Sequence, residues 1–123
     1  MSTILLSGCA IMKDGRILLI KKKDRDYWEL PGGIVKSKEG LEEAAVSKTK
    51  EQIGTEPTVV QQFTVLEFQK AGQNIEANIF ECDVDPEATF SPGENIGEVQ
   101  WMDIKGLAKE KIGDDVKEIL EEI

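Results

Sequence analysis

The stretch that most constrains the fold runs from Trp28 to Thr55 and reads "WELPGGIVKSKEGLEEAAVSKTKEQIGT". The short run "YWEL" has the composition of a strand. It ends at Pro31, Gly32 and Gly33, where a strand must stop and the backbone can take positive φ angles. An acidic segment with two adjacent alanines follows, and it favours a helix. The stretch therefore predicts a strand, a glycine turn and a helix in direct succession.

The ends of this helix are marked by glycines. Gly40 is an acceptable N-cap with Glu43 three residues later, and Gly54 lies where a left-handed residue would end the helix. We predict a helix from about Leu41 to Ile53. An α-helix turns by about 100° per residue, so positions 48, 51 and 52 share one face, whereas Glu42 and Glu43 lie on the far side.

The remaining segments predict strands and one more helix. Asp14-Gly15 separates two apolar runs and favours a tight hairpin, and "QKAGQ" separates a second pair. A further strand, "EVQWMDI", precedes a helix near Asp114 to Glu122. We predict one α+β domain over residues 1–123, with a mixed or mainly antiparallel β-sheet sandwiched between α-helices.

Charge and composition exclude several classes of function. With 24 acidic and 15 basic residues the net charge is −9, which disfavours a nucleic acid polymer as partner. Because the chain has no histidine, Ser-His and Cys-His nucleophile pairs and imidazole metal sites are excluded. Carboxylate, lysine and oxygen-ligand metal chemistry remain.

Other features concern the cell compartment. No run of 18 apolar residues and no signal-peptide pattern is present, so we expect no membrane partner and a cytoplasmic location. Cys9 and Cys82 lie in apolar, strand-like runs, which favours buried reduced thiols. The sequence leaves the oligomeric state open, although a homodimer is the commonest assembly of small soluble proteins.

The spacing from Gly33 to Thr55 resembles the signature of the Nudix hydrolase (MutT-like) family, and the order of strands and helices on either side is similar as well. The signature residues kept are Gly33, Glu39, Glu51 and Gly54. The flanking segments "WELPGG", "LEEAA" and "ENIGEVQWMDIKGL" are also typical of the family. The resemblance implies a Nudix fold and hydrolysis of a diphosphate linkage in a nucleoside diphosphate derivative, with Mg²⁺ or Mn²⁺ as cofactor.

The signature is degenerate along the predicted helix. The family places Arg, Glu, an aliphatic residue and Glu where this chain has Ser47, Lys48, Thr49 and Gln52. Of the three helix carboxylates that the resemblance makes metal ligands, only Glu51 is kept. The arginine that would pair with Glu39 is also absent.

The resemblance assigns catalytic roles to Glu51 and Glu39, and metal ligation to Glu51. Glu94 and Glu98 are the candidates for replacement ligands, because the corresponding family loop often supplies a carboxylate. A single ion supported by substrate phosphates needs only one or two protein carboxylates. An ammonium at Lys48 would repel a divalent ion, or would contact the phosphates directly.

Five residues are candidates for substrate binding: Gly32, Gly33, Lys48, Trp28 and Lys22. The glycines allow close approach of the backbone to phosphates, the lysines offer charge, and the tryptophan offers a face for base stacking. Each also has a structural explanation, as turn, solvated strand end or core. Three functions stay open: a weak or altered Mg²⁺-dependent Nudix hydrolase, a nucleotide-binding domain that has lost catalysis, and a pure interaction domain.

Overall fold

A computed structural model describes residues 3–123. The strands are β1 (Thr3–Lys13), β2 (Arg16–Lys22), β3 (Gly32–Ile34), β4 (Thr58–Lys70), β5 (Gln73–Asp83) and β6 (Ile96–Asp103). The helices are α1 (Leu41–Ile53), a short 3-10 helix (Ile104–Lys109) and α2 (Asp114–Glu122). Within this described part of the chain, no helix has the length and apolarity needed to cross a membrane.

The strands form one mixed sheet in the order β4-β5-β1-β2-β6. Strand β1 connects the two halves of the sheet. It runs parallel to β5 from Thr3 to Ile11, and the last two residues of β1 pair with the start of β2. Strand β3 pairs antiparallel with β1 at Leu6, Ser7 and Gly8. The glycine turn is therefore fastened to the middle of the sheet.

Side chains alternate between two core layers, one on each face of the sheet. Ile17 and Leu19 of β2 pack with Val116 and Ile119 of α2, whereas Leu18 and Ile20 pack with Ala45 and Ile53 of α1. This period-two alternation is what a sheet covered on both faces requires. The predicted α+β architecture, a sheet sandwiched between helices, is confirmed.

The predicted helix ends are confirmed, and so are both hairpins. Helix α1 spans Leu41–Ile53, with Gly40 as N-cap and Gly54 in the left-handed conformation at φ 78°. Both cysteines are buried free thiols, as expected. The structure also brings them together, with Cys82 donating to Cys9 at an Sγ–Sγ distance of 3.1 Å. The sequence did not predict this contact, because the two cysteines lie 73 positions apart.

The prediction for the glycine turn is wrong in one respect. The run "YWEL" forms only isolated bridges, at Trp28 and Glu29, and the regular strand comprises Gly32, Gly33 and Ile34 instead. The reason is close packing: a Cβ on Gly32 would lie 2.6 Å from the Cα of Gly8. Because both residues lack side chains, β3 can approach β1 closely enough to pair.

Candidate functional site

A cleft of about 1540 Å³ opens between α1, the glycine turn and the N-terminus of α2. One part of its wall is polar and charged, with Lys48, Glu51 and Gln52 of α1. Another part is apolar and comes from strands of the sheet, with Leu6 and Phe68 among its residues. The cleft thus offers a charged wall and an apolar wall to one ligand.

Lys48 lies along the glycine turn. Its Cγ and Cδ atoms are 3.3 Å from the position that a Cβ on Gly33 would occupy, so the missing side chain of Gly33 makes room for the lysine stem. The ammonium is 4.0 Å from Glu51 Oε2. Because the Glu51 side chain is 70% exposed, this ion pair contributes little to stability and leaves both groups accessible from the cleft.

Gln52 contacts the same turn from the next helical position. Its Nε2 donates to the carbonyl of Gly32 at 2.9 Å, and its Oε1 accepts from the backbone N–H of Gly32 at 2.7 Å. Both ends of the side-chain amide are therefore occupied by one glycine. The sequence pattern identified Gln52 only as a missing carboxylate, because nothing in the local sequence shows this contact.

Glu39 lies beside the start of α1, and it is not among the residues that line the cleft. Its Oε1 accepts from the backbone N–H of Lys36 at 3.1 Å, and its Oε2 accepts from the Ser47 hydroxyl at 3.4 Å. Ser47 thus contacts the carboxylate that the resemblance would pair with an arginine. In this structure the Glu39 carboxylate links the loop before α1 to the helix itself.

Glu94 and Glu98 are placed differently. Glu94 lines the cleft, next to Gly93, whose N–H donates to the carbonyl of Gln52 at 3.0 Å. Glu98 lies on β6, outside the cleft lining, and its carboxylate is 3.5 Å from the Lys21 ammonium. The structure therefore brings Glu94, and not Glu98, toward the end of α1 that carries Glu51.

Of the other predicted binding residues, some line the cleft and one lies in the core. Gly32, Gly33 and Lys22 line the cleft, although the Lys22 ammonium is 3.4 Å from Glu29. Trp28 is 6% exposed and belongs to the core, with the Lys21 ammonium 4.7 Å from its ring centroid. Its neighbour Tyr27 lines the cleft instead.

Comparison with known proteins identifies the family of the chain. The family model for the NUDIX domain matches residues 6–123. The chain belongs to the NUDIX domain family. Members of this family are pyrophosphohydrolases.

The curated relatives match this Nudix domain over only part of their own length. A "MutT-like protein" of Streptomyces ambofaciens is 29% identical over 80 residues, which cover 65% of this chain and 51% of that protein. An "ADP-ribose pyrophosphatase" of Methanocaldococcus jannaschii is 46% identical over 52 residues, covering 40% of this chain and 31% of that protein. The matched region thus spans about half or less of these two relatives.

A solved structure has the same Nudix fold over the whole chain. The MutT NUDIX hydrolase from Burkholderia pseudomallei superposes with a TM-score of 0.90, at 24% identity, and covers 100% of this chain and 99% of that one. At this identity the similarity establishes the shared fold.

Nudix hydrolases generally use divalent metal ions, and of positions 48, 51 and 52 in this cleft only position 51 carries a carboxylate. Across residues 3–123, no group of three or more acidic or cysteine side chains could hold a metal ion. Position 48 carries an ammonium beside Glu51, and the amide of Gln52 is engaged by Gly32. Hard divalent ions require several oxygen ligands, which these three positions do not supply.

Asp115 is a cleft residue of this Nudix domain that the sequence pattern did not single out. It lies in the first turn of α2, where an acidic residue looks like an ordinary helix-end charge. Its carboxylate accepts from the backbone N–H groups of Leu30 at 3.0 Å and Val116 at 2.8 Å. Burial raises the pKa of Asp115 to about 6, against the opposing effect of those two hydrogen bonds.

We expect Asp115 to make stability depend on pH. Because its pKa is raised in the folded state, its favourable contribution is present below the unfolded-state value of 3.8 and is lost as pH rises through about 6. The free energy of unfolding of the native chain, relative to Asp115→Asn, should fall by about 1–3 kcal/mol over this range. Urea unfolding at several pH values measures it, with Asp114→Asn as control. A constant difference across the range would contradict the prediction.

Proposed function

We propose that this Nudix domain binds a nucleoside diphosphate derivative and carries out little or no metal-dependent hydrolysis. The observation that supports this most strongly is the position of Lys48. An ammonium lies in the cleft beside the glycine turn, where the resemblance places a metal-binding glutamate. A lysine can bind phosphate as a point charge without any ion.

The two walls of the cleft match the two parts of such a ligand. Lys48 and Lys22 are positive groups in the cleft lining and are suited to a diphosphate. The apolar wall, with Leu6, Phe68 and Ile75, is suited to the flat face of a base. The relative named as an ADP-ribose pyrophosphatase supports the choice of ADP-ribose as the first ligand to test.

A second function, weak hydrolysis with a single Mg²⁺ or Mn²⁺ ion, is favoured by one observation. Glu51 and Glu94 both line the cleft, so two carboxylates are available from separate elements. Substrate phosphates would have to supply the remaining oxygen ligands. The substitution Glu51→Gln distinguishes the two functions, because it removes a carboxylate and changes little else.

We expect Glu51→Gln to leave binding intact or to strengthen it. Loss of the carboxylate removes the partner of Lys48 and a repulsive charge near the diphosphate, so affinity for ADP-ribose in EDTA should rise up to about fivefold. Calorimetry measures the affinity. Product release from ADP-ribose, dinucleoside polyphosphates, sugar nucleotides and nucleoside triphosphates, with Mg²⁺ and Mn²⁺, measures turnover.

The matched control is Glu43→Gln, on the exposed far side of the same helix. It should behave as the native chain in both assays. Metal-dependent turnover in the native chain that Glu51→Gln abolishes would contradict binding without catalysis and establish the hydrolase. Failure to bind any nucleotide of the panel would contradict both functions and favour the interaction domain.

A further inference from the structure

Gln52 satisfies two backbone groups of one residue, because its side-chain amide carries both a donor and an acceptor. Gly32 presents a donor N–H at 2.7 Å from Oε1 and an acceptor carbonyl at 2.9 Å from Nε2. A glutamate at neutral pH has two acceptor oxygens and no donor. A carboxylate in the same position would place one of its oxygen atoms against the carbonyl oxygen of Gly32, and the two would repel each other.

The bonded glycine is held from the opposite side as well. Gly32 has φ 151°, and a Cβ there would lie 2.4 Å from the Ser7 carbonyl oxygen. Gln52 itself is fixed by the loop before β6, because the Gly93 N–H donates to its carbonyl. The glycine turn is thus clamped between β1 and α1 through backbone contacts and one side-chain amide.

We propose that Gln52 is a positioning residue that fixes the glycine turn without a metal ion. The family pattern that the chain otherwise resembles has Glu at this position. A glutamate that reached Gly32 as Gln52 does would need a proton or a cation between its oxygen and the carbonyl oxygen. The Gln52 amide takes the place of that proton or cation, because its N–H donates to the Gly32 carbonyl. The charged wall of the cleft is then preorganised in the absence of metal. This role of Gln52 deepens the proposed metal-independent binding of a nucleotide and rests on that proposed function.

The substitution Gln52→Glu tests this role through stability and needs no nucleotide. In EDTA at neutral pH, the variant should have a melting temperature roughly 5–10 °C below that of the native chain, because the Gly32 carbonyl faces a carboxylate. Adding Mg²⁺ or Mn²⁺ should restore most of this loss in the variant and leave the native chain unchanged.

Acid should also restore the variant. When the carboxyl group that Gln52→Glu introduces is protonated, it can donate to the Gly32 carbonyl, so its folded-state pKa is raised above the ordinary value of about 4.3. The loss relative to the native chain is then present above the folded-state pKa and disappears as pH falls below about 4.3. Charged residues that line the same cleft include Lys48 and Glu51 of α1, Glu94 of the loop before β6, Asp115 of α2, and Lys22 and Glu29.

Gln52→Ala is the matched control, because it removes both hydrogen bonds and adds no charge. Its melting temperature should fall under every condition, without response to metal or acid beyond that of the native chain. A Gln52→Glu variant as stable as the native chain in EDTA at neutral pH would overturn the proposal. An equal loss at every pH and metal concentration would overturn it too. Since no arm contains a nucleotide, this result and the binding assay can fail separately.

Discussion

Gly32→Ala is expected to destabilise the fold by about 3–5 kcal/mol, a large part of the stability of a domain of this size. Two costs combine. The residue has φ 151°, which an L side chain rarely adopts. A Cβ would also lie 2.4 Å from the Ser7 carbonyl oxygen and 2.6 Å from the Cα of Gly8, and neither backbone atom can move without separating β3 from β1.

Two other glycines separate these costs in the same chain. Gly72, in the hairpin after β4, has φ 77° and open space where a Cβ would lie, so its alanine variant should lose only about 1 kcal/mol. Gly106 has no positive φ, and a Cβ there would meet no atom within 4 Å, so Gly106→Ala should change the free energy of unfolding by less than about 0.5 kcal/mol. Urea unfolding measures all three. Equal losses at Gly32 and Gly72 would show that packing against β1 contributes nothing.

Most of the fold could be predicted because it is written in local patterns. The Asp14-Gly15 turn, the glycines at both ends of α1 and the apolar alternation of β2 each depend on neighbours in sequence. Such signals reflect the backbone conformation of a turn or the burial of one face of an element. Both can be predicted from a short window of sequence. The long spaced pattern from Gly33 to Thr55 then supplied the arrangement of the elements.

The site was harder to predict, because its contacts join residues far apart in sequence. Gln52 bonds to a glycine 20 positions away, and Asp115 accepts from Leu30 across 85 positions. A motif records which residue type is present and not what it contacts. The same limit applies to Trp28, for which stacking on a base and packing in the core have the same sequence signature, and which lies in the core.

Lys48→Gln is expected to weaken binding of ADP-ribose in EDTA by about 10- to 100-fold, the value of one charge-assisted contact to phosphate. Glutamine keeps most of the stem that packs along Gly33 and removes the charge 4.0 Å from Glu51. The loss should therefore appear in affinity, with the melting temperature nearly unchanged. Calorimetry at two salt concentrations measures it, since a lost phosphate contact also reduces the salt dependence of binding.

Lys50→Gln is the matched control, because Lys50 is a lysine of the same helix whose 60% exposed side chain pairs with Glu56 and does not line the cleft. Its affinity for ADP-ribose should equal that of the native chain. Equal weakening in both variants would mean that lysine charge acts only through the general field of an acidic protein. Weakening confined to Lys48→Gln would instead locate the diphosphate beside the glycine turn, where the ammonium replaces the positive charge that a metal ion would otherwise bring.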